Sequence, residues 1–437
     1  MEEDDSMTPT SIALIAIFLG TLLFILTEKA DKSIVALAGG LLTFVILSYH
    51  FNFNFNVVFR KVIDEFIDFP TLIIMFGVLV VGAVVNESGL FQWVAIKIVK
   101  LTRGSPQKLL FLLILLTILL SSLLTILAAV IILGRLTISI TKALDIDPKP
   151  YLLSEAVAVS IGGLTSLIAS PASILIAQKV DLDYIFFITH TLPFAIILAI
   201  IISFILTKTV ELPEKITELR RMVIMEFDEW SVVPNKFLFY ASLIILIGMV
   251  VGFFLFPAYI VAFTGAILFL IIHGTSFEKI AKEIEWSDIL FFIGIFIIVG
   301  GVEYTGILEA IGHILAEVSG GNPMVPLLII IWFTGIASGF LDEVTIALTF
   351  LPIINELVYT AGFLEHYHIF IIALILSTNL GGCMTPIGTP ANLMILSIAE
   401  KEGKSISFKT FLKYGSLVVF INLIIASAYI TFLLALL

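Results

Sequence analysis

The stretch SIGGLTSLIASPASILI at 160–176 and the stretch NLGGCMTPIGTPANLMI at 379–395 decide the fold. In one register they share a Gly-Gly pair, an internal Ile, a Pro-Ala pair and a final Ile. Two further matches lie upstream: NESGL (86–90) over EYTGI (303–307), and SSLLT (121–125) over SGFLD (338–342). The offset stays between 217 and 219 residues in all three matches, so the chain contains an internal duplication.

The composition places this duplication in a membrane. Of 437 residues, 60% are hydrophobic and 13% are charged. Soluble domains are about half apolar and about one quarter charged. The apolar runs predict a bundle of about ten spans, since each crossing of the hydrocarbon needs about 20 apolar residues. The lipid bilayer is therefore the first predicted partner, and the predicted location is the plasma membrane, with multiple spans.

Several other classes of protein are excluded. The net charge of −11 spreads over loops and ends rather than forming a basic face, which disfavours a nucleic-acid partner. The single cysteine, Cys383, supports neither a disulfide nor a thiolate metal site. No HExxH motif, paired histidines or nucleophile elbow appears, so we predict no enzyme. We expect no cofactor and no metal other than a bound Na⁺.

The two halves are predicted to be inverted repeats. Loops rich in Lys and Arg in one half, such as 97–108, match loops of the other half without them, such as 309–322. Because positive loops stay in the cytoplasm, equivalent loops lie on opposite sides. If each repeat has about five transmembrane helices and one re-entrant hairpin, the charges of the loops agree with this arrangement and both termini are external. The predicted units are an N-terminal repeat 1–208 (hairpin about 107–141, broken helix about 151–180), a cytoplasmic linker 209–236 and a C-terminal repeat 237–437 (hairpin about 324–358, broken helix about 367–400).

The predicted substrate site lies where both repeats break their helices. Inverted repeats with polar, Gly/Pro-broken segments at matching positions are typical of transporters that bind substrate at the midplane. Unwound backbone in hydrocarbon must face protein or a polar cavity. A kinked structural helix with internally satisfied side chains is the alternative. The predicted substrate-binding residues are Ser121, Ser122, Thr125, Ser160, Ser166, Ser170 and Ser173 in the first half, and Thr385, Gly388, Thr389 and Asn392 in the second.

The pair Asp342-Glu343 is the strongest candidate for ion coupling. It lies inside an apolar stretch, where one isolated carboxylate costs roughly 2.5–3.5 kcal/mol. Two adjacent acids are tolerated when one is protonated or a cation lies between them. A wet hairpin mouth near the surface is the alternative. The predicted coupling-ion residues are Asp342, Glu343, Thr345, Ser338 and Asn379. Arg135, in a hairpin leg, is interpreted as snorkelling or pairing with an acid rather than holding an anion.

The sequence resembles the ion transporter superfamily, in its ArsB/NhaD permease branch, with the citrate and divalent anion:sodium symporters as relatives. The segments that carry the resemblance are 287–309, 338–354 and 379–415. The resemblance implies an elevator-type transporter with a scaffold, two re-entrant hairpins, two unwound helices and, in many members, a homodimer. The second tip has Glu343 where that family has Asn, and the first tip lacks both acid and amide. This difference indicates that the second half carries most of the ion coupling.

The leading hypothesis is a secondary active transporter that moves a small ion, coupled to H⁺ or Na⁺. Cation/proton antiport and transport of an inorganic or carboxylate anion both remain open. The alternatives are a passive ion channel and a transporter-derived membrane protein that no longer transports.

Overall fold

The computed structural model describes residues 8–27, 29–103, 105–210, 212, 222, 225–226, 228–274, 277–282 and 284–436. In these ranges the regular structure is helical throughout, and ten helices are long and apolar enough to cross a membrane. The predicted all-helical integral membrane fold is therefore confirmed. Nearly half of the predicted linker 209–236 lies outside the described residues, namely 211, 213–221, 223–224 and 227.

The helices run in the same order in both halves. Those of the first half are α1 (Pro9–Leu26), α2 (Lys32–His50), α3 (Phe55–Lys61), α4 (Phe69–Ser88), α5 (Leu90–Leu101), α6 (Pro106–Leu123), α7 (Ile126–Leu144), α8 (Lys149–Gly162), α9 (Pro171–Lys179) and α10 (Tyr184–Thr209). Those of the second are α11 (Lys236–Phe253), α12 (Ala258–His273), α13 (Phe277–Ala281), α14 (Trp286–Glu303), α15 (Ile307–Ser319), α16 (Met324–Ser338), α17 (Glu343–Ala361), α18 (Tyr367–Gly381), α19 (Pro390–Lys401) and α20 (Phe408–Ala435).

Two long helices from each half form what we call the frame: α2, α4, α12 and α14. Helix α2 packs on α14, and α4 packs on α12. A Cβ added at Gly77 would lie 2.6 Å from the Ala262 carbonyl oxygen, and one at Gly294 would lie 2.4 Å from the Ala36 carbonyl carbon. Small residues thus allow the backbones of both pairs to approach closely. Gly77 and Gly294 are related by the offset of the duplication, so the frame has the internal symmetry of the sequence.

The hairpins and broken helices form a second group, which we call the core group: α6–α9 and α16–α19. Helix α6 packs on α8, and α16 packs on α18. The second legs cross between halves, since α7 contacts α19 and α17 contacts α9. This exchange holds the two repeats together and brings both hairpin tips to one place.

One face of the molecule carries the linker, and we call it the linker side. There the described part of the linker packs against α5: the rings of Trp93 and Trp230 lie 5.5 Å apart. The Lys100 ammonium lies 2.5 Å from the Glu229 carboxylate and lowers the pKa of that carboxyl group through this hydrogen bond. The linker is thus anchored to the first repeat next to the start of α11.

Candidate functional site

Both broken helices restart on the same four-residue pattern. Ser170 and Thr389 cap α9 and α19, with their side-chain oxygens accepting from the amides of Ser173 and Asn392. Pro follows each cap at the first helical position, where its missing N–H costs nothing and its fixed φ suits a helix. The sequences SPAS and TPAN therefore create two new helix N-termini inside the protein.

Side-chain amides and hydroxyls satisfy the unwound backbone before each restart. The Asn392 Nδ2 donates to the carbonyls of Gly382 and Thr385, at 3.0 and 2.9 Å. The Ser173 hydroxyl donates to the Gly163 carbonyl at 3.2 Å. Asn379 Nδ2 joins the halves by donating to the Ser173 oxygen at 3.2 Å. These bonds replace the helical ladder that the break removes.

Other predicted site residues attach the hairpins to the broken helices. The Ser166 hydroxyl donates to the Ser122 carbonyl at 3.0 Å, and the Thr385 hydroxyl donates to the Gly339 carbonyl at 2.5 Å. These two bonds are equivalent under the duplication. The predicted substrate role of Ser166 and Thr385 is not tested by these bonds, but they show what holds each tip in place.

We expect Asn392→Ala to lower the thermal stability of the purified protein. The variant leaves the Gly382 carbonyl without a donor among the described residues and the Thr385 carbonyl with only the Gly388 amide at 3.3 Å, and an unsatisfied buried group costs about 1–3 kcal/mol. Ser173→Ala is the matched comparison because it occupies the equivalent position and removes one donated bond; it also removes the bond accepted from Asn379, whose amide keeps the Ile375 carbonyl. Asn392→Ala should therefore show the larger loss in Tm, measured by differential scanning fluorimetry. Equal losses would show that the second break does not depend on this amide.

The two hairpin tips meet at a small cavity of about 40 Å³, which we call the tip cavity. Six helices begin around it: α2 and α14 of the frame, and α7, α9, α17 and α19 of the core group. Helix N-termini carry a partial positive charge and favour nearby anions. The volume suits one ion or a few waters, since a single water needs about 10–15 Å³.

Four carboxylates and one ammonium line this cavity: Glu285, Asp288, Asp342, Glu343 and Lys32. Asp342 caps α17 by accepting from the Val344 amide at 3.0 Å. The Glu343 carboxylate is buried and faces the N-terminus of α9, near the Ser170 hydroxyl and the Ala172 amide. Together the described lining residues carry a negative formal charge. The partial positive charges of the surrounding helix N-termini oppose it.

The frame supplies three of these charged residues, and the sequence reasoning missed them. Lys32 Nζ lies 3.0 Å from Asp288 and 3.9 Å from Asp342. The signal in the sequence is weak, because Lys32, Glu285 and Asp288 stand at the ends of apolar runs, where charged residues are ordinary. The first half has no matching set at its own tip: Thr125, Ile126 and Leu127 line the cavity there.

A wider cavity of about 290 Å³ adjoins the tip cavity and shares Leu79, Thr125 and Glu285 with it. Its other lining residues include Asn86, near the end of α4, and Arg135, in the middle of α7. A further cavity of about 360 Å³ shares Asn86 and Arg135 and reaches Ser231 in the linker. The tip cavity is therefore approached from the linker side. Arg135 is exposed there, with no ion pair to any described acid.

The structure divides the predicted site residues into two sets. Thr125, Asp342 and Glu343 line the tip cavity. The remainder lie behind it in the tips and breaks, and their binding roles stay predictions: Ser121, Ser122, Ser160, Ser166, Ser170, Ser173, Ser338, Thr345, Asn379, Thr385, Gly388, Thr389 and Asn392. Four of them have buried side-chain oxygens without a hydrogen-bond partner among the described residues: Ser160, Thr345, Asn379 and Asn392.

Solved transporter structures share this architecture. The Alcanivorax borkumensis YdaH transporter aligns with a TM-score of 0.61 at 14% sequence identity, covering 98% of this chain and 99% of that one. Neisseria gonorrhoeae MtrF, described as one of a class of antimetabolite efflux pumps, aligns with a TM-score of 0.55 at 12% identity, covering 98% of this chain and 95% of that one. At these identities the likeness shows the fold alone.

Sequence relatives extend over nearly the whole length of the chain. An uncharacterized transporter of Mycobacterium tuberculosis is 27% identical over 96% of this chain and 98% of its own. One from Synechocystis is 25% identical over 96% of each chain. The P protein of Mus musculus is 24% identical over 95% of this chain and 59% of its own length.

The sequence profile of one family covers most of both repeats. It is described as Citrate transporter and matches residues 22–370, from α1 into α18. That range includes the first broken helix, both hairpins and the five charged residues of the tip cavity. Ten helices suited to crossing a membrane and relatives that are transporters make this a multi-pass membrane transporter. The chain belongs to the citrate transporter family.

Proposed function

We propose that this protein is a secondary active transporter that moves a small ion across the membrane, coupled to H⁺ or Na⁺ at Asp342 and Glu343. The observation that carries the proposal is the tip cavity, where four carboxylates surround a space of about 40 Å³ with one ammonium among them. Adjacent buried carboxylates favour a proton or a cation between them. The cavity has room for a dehydrated cation and too little room for a carboxylic acid the size of citrate.

Oxygen atoms near the tips support Na⁺ as well as H⁺. The side-chain oxygens of Thr345, Asn379 and Asn392 are buried and accept no hydrogen bond from any described residue. Carboxylate, amide and hydroxyl oxygens are the ligands preferred by hard cations. These atoms, together with Asp342 and Glu343, supply the chemistry for one coupling-ion site in the second half.

The transported ion in this proposal is a small anion, inorganic or carboxylate. Helices α7 and α19 begin at the tip cavity without a carboxylate of their own, so their N-termini remain available to an anion. The Arg135 guanidinium faces the wider cavity on the approach from the linker side. That cavity, about 290 Å³, is near the volume of a small-molecule site. The family's description as citrate transporters agrees with an anionic substrate.

Cation/proton antiport is the second candidate. The excess of acids over bases in the tip cavity favours it, because each carboxylate can exchange a proton for a metal cation. In both cases we propose that the core group moves against the frame, which would carry the tip cavity from the linker side to the opposite side.

Ligand-dependent thermal stabilisation of the purified protein tests the proposal. Binding to the folded state alone raises Tm in proportion to the logarithm of ligand concentration. We expect NaCl to stabilise relative to choline chloride, or low pH to stabilise in choline chloride. An anion, from a set including arsenite, succinate and citrate, should then add to the effect only in the presence of the coupling cation. A Tm that ignores Na⁺, pH and every anion would contradict the proposal.

A further inference from the structure

Lys32 joins the frame to the core group across the tip cavity. It is the first residue of α2, and its ammonium lies 4.8 Å from the centre of the Phe291 ring on α14. Its Nζ lies 3.0 Å from Asp288 and 3.9 Å from Asp342. The Lys32 side chain is 28% exposed, and those of Asp288 and Asp342 are 18% and 15% exposed. One cation is thus shared between two partly buried acids.

The two acids belong to different groups of helices. Asp288 lies in the first turn of α14, which packs along α2 in the frame. Asp342 caps α17, which packs on α9 and α18 in the core group. The shorter contact therefore stays within the frame, and the longer one crosses to the hairpin tip. Lys32 can leave Asp342 and keep Asp288, so the ammonium stays paired after the separation, while Asp342 then needs a proton or another cation.

The other charged groups around Lys32 are all acids. On its own helix, Asp31 caps α2 and is engaged by the Ser33 amide at 2.8 Å. On α14 the neighbours are Glu285 and Asp288, and on α17 they are Asp342 and Glu343. Helices α4, α7, α9 and α19 line the cavity with no titratable side chain among their described lining residues. A cation that enters therefore meets Lys32 as its one positively charged competitor among these residues.

We propose that Lys32 is a resident counter-ion that occupies Asp342 when the coupling cation is absent and competes with that cation for the carboxylate. The inference rests on the proposed function. Bound Lys32 ties the hairpin tip to the frame while the site is empty. A proton or Na⁺ on Asp342 weakens that tie and returns Lys32 to Asp288, which frees the core group to move only when it is loaded.

The position that corresponds to Lys32 in the other repeat has no basic residue, and the tip that corresponds to Asp342-Glu343 has no acid. Helix α12 corresponds to α2 in order, and it begins with Ala258 and no basic residue in its first turn. Lys32 comes from the first half and the acids come from the second, and they meet at the tip cavity, whereas their counterparts Ala258 and Thr125 are uncharged. This co-occurrence is expected if Lys32 acts as the counter-ion of Asp342 and is not simply a residue at the start of a helix.

The test measures how Tm depends on NaCl concentration, at constant ionic strength with choline chloride, and on pH without Na⁺. Lys32→Met keeps the length and apolar stem of the side chain and removes the charge. We expect the half-maximal Na⁺ concentration of this variant to fall by about tenfold or more, or its protonation midpoint to rise by about one pH unit or more. The reason is that an opposite charge within about 4–6 Å lowers the pKa of a carboxyl group by at least that amount, and the variant removes this charge. Lys32→Arg should stay near wild type.

Lys100→Gln is the matched control, since it also breaks an ion pair on the linker side and lies outside both cavities. It should leave both midpoints unchanged. If Lys32→Met does not fold, Asp288→Asn gives the opposite reading: Lys32 then has Asp342 as its one near partner, and the half-maximal Na⁺ concentration should rise. If the wild type responds to Na⁺ or pH and the midpoints of these variants are unchanged, the role of Lys32 is overturned and the proposed function is not. A wild type that responds to neither Na⁺ nor pH would overturn the proposed function as well.

Discussion

Asp342→Asn and Glu343→Gln should each lower gradient-driven flux by about 10- to 100-fold. Each variant removes one charge from the tip cavity and keeps the shape of the side chain. A hydrogen bond or ion contact to a charged group contributes about 1.5–3 kcal/mol, and every 1.4 kcal/mol is tenfold in affinity. Glu343 should show the larger loss, because it is the more buried of the two and also engages the N-terminus of α9.

Glu356→Gln is the matched control for these variants. Glu356 lies on the same helix, α17, and pairs at the surface with His313 at 3.1 Å, away from the tip cavity. Its flux should stay within about twofold of wild type, because an exposed ion pair contributes little. Initial rates of uptake into proteoliposomes, normalised to reconstituted protein, give the comparison. Full activity in Asp342→Asn and Glu343→Gln together would remove these residues from the coupling mechanism.

Gly381→Ala should prevent stable folding of the core group. A Cβ at Gly381 would lie 2.0 Å from the Gly335 carbonyl oxygen, where the hairpin leg α16 crosses the broken helix α18. Backbone atoms of two packed helices cannot give way as a flexible side chain can. Overpacking costs about 1–3 kcal/mol even where side chains adjust, so we expect a loss of about 3 kcal/mol or more. The yield of monodisperse protein and its Tm report the loss.

Gly248→Ala gives the scale for that result. Gly248 lies inside α11, and an added Cβ meets nothing within 4 Å. Replacing Gly with Ala in an open helix position stabilises by about 0.5–1 kcal/mol, so this variant should match or exceed wild type. Equal behaviour of Gly381→Ala and Gly248→Ala would mean that the hairpin and the broken helix do not pack as closely as described.

The architecture could be predicted from the sequence because the residues shared by the two repeats are those that the backbone conformation and close helix packing require. Gly162 and Gly381 recur since each lies where a hairpin leg crosses a broken helix, and neither site has space for a Cβ. Ser170-Pro171 and Thr389-Pro390 recur since each begins a half-helix. Such constraints are local or pairwise between repeats, so one sequence compared with itself exposes them.

The charged residues of the tip cavity were harder to predict from the sequence. Asp342 and Glu343 were found because two acids inside an apolar run are expensive. The sequence did not point to Lys32, Glu285 and Asp288, because they lie far from Asp342 along the chain. They come close to it only in the folded protein, where the frame packs against the core group. Glu155 was also missed: it is fully buried and accepts from the Thr137 hydroxyl, outside both cavities. A single charge in a run offers no partner to look for.

The structure also changes the meaning of the polar residues at the breaks. Serines, threonines and asparagines there were expected to form a substrate cradle, and the broken-helix alternative was that they satisfy their own backbone. Asn392, Thr385 and Ser166 do bond to backbone carbonyls. These bonds favour separate roles for the two sets of residues. The polar residues of the broken helices fix the hairpin tips in place, and the tips together with the frame bind the ions.

The most direct test of ion coupling is uptake into proteoliposomes under an imposed Na⁺ or pH gradient, with a radiolabelled anion such as citrate, succinate or arsenite outside or inside the vesicles. The account predicts accumulation of an anion, or counter-movement of a cation, above its equilibrium level, with saturation at high concentration and collapse when the gradient is dissipated. Flux that only runs downhill, does not saturate and is indifferent to both gradients would identify a passive channel and contradict the account.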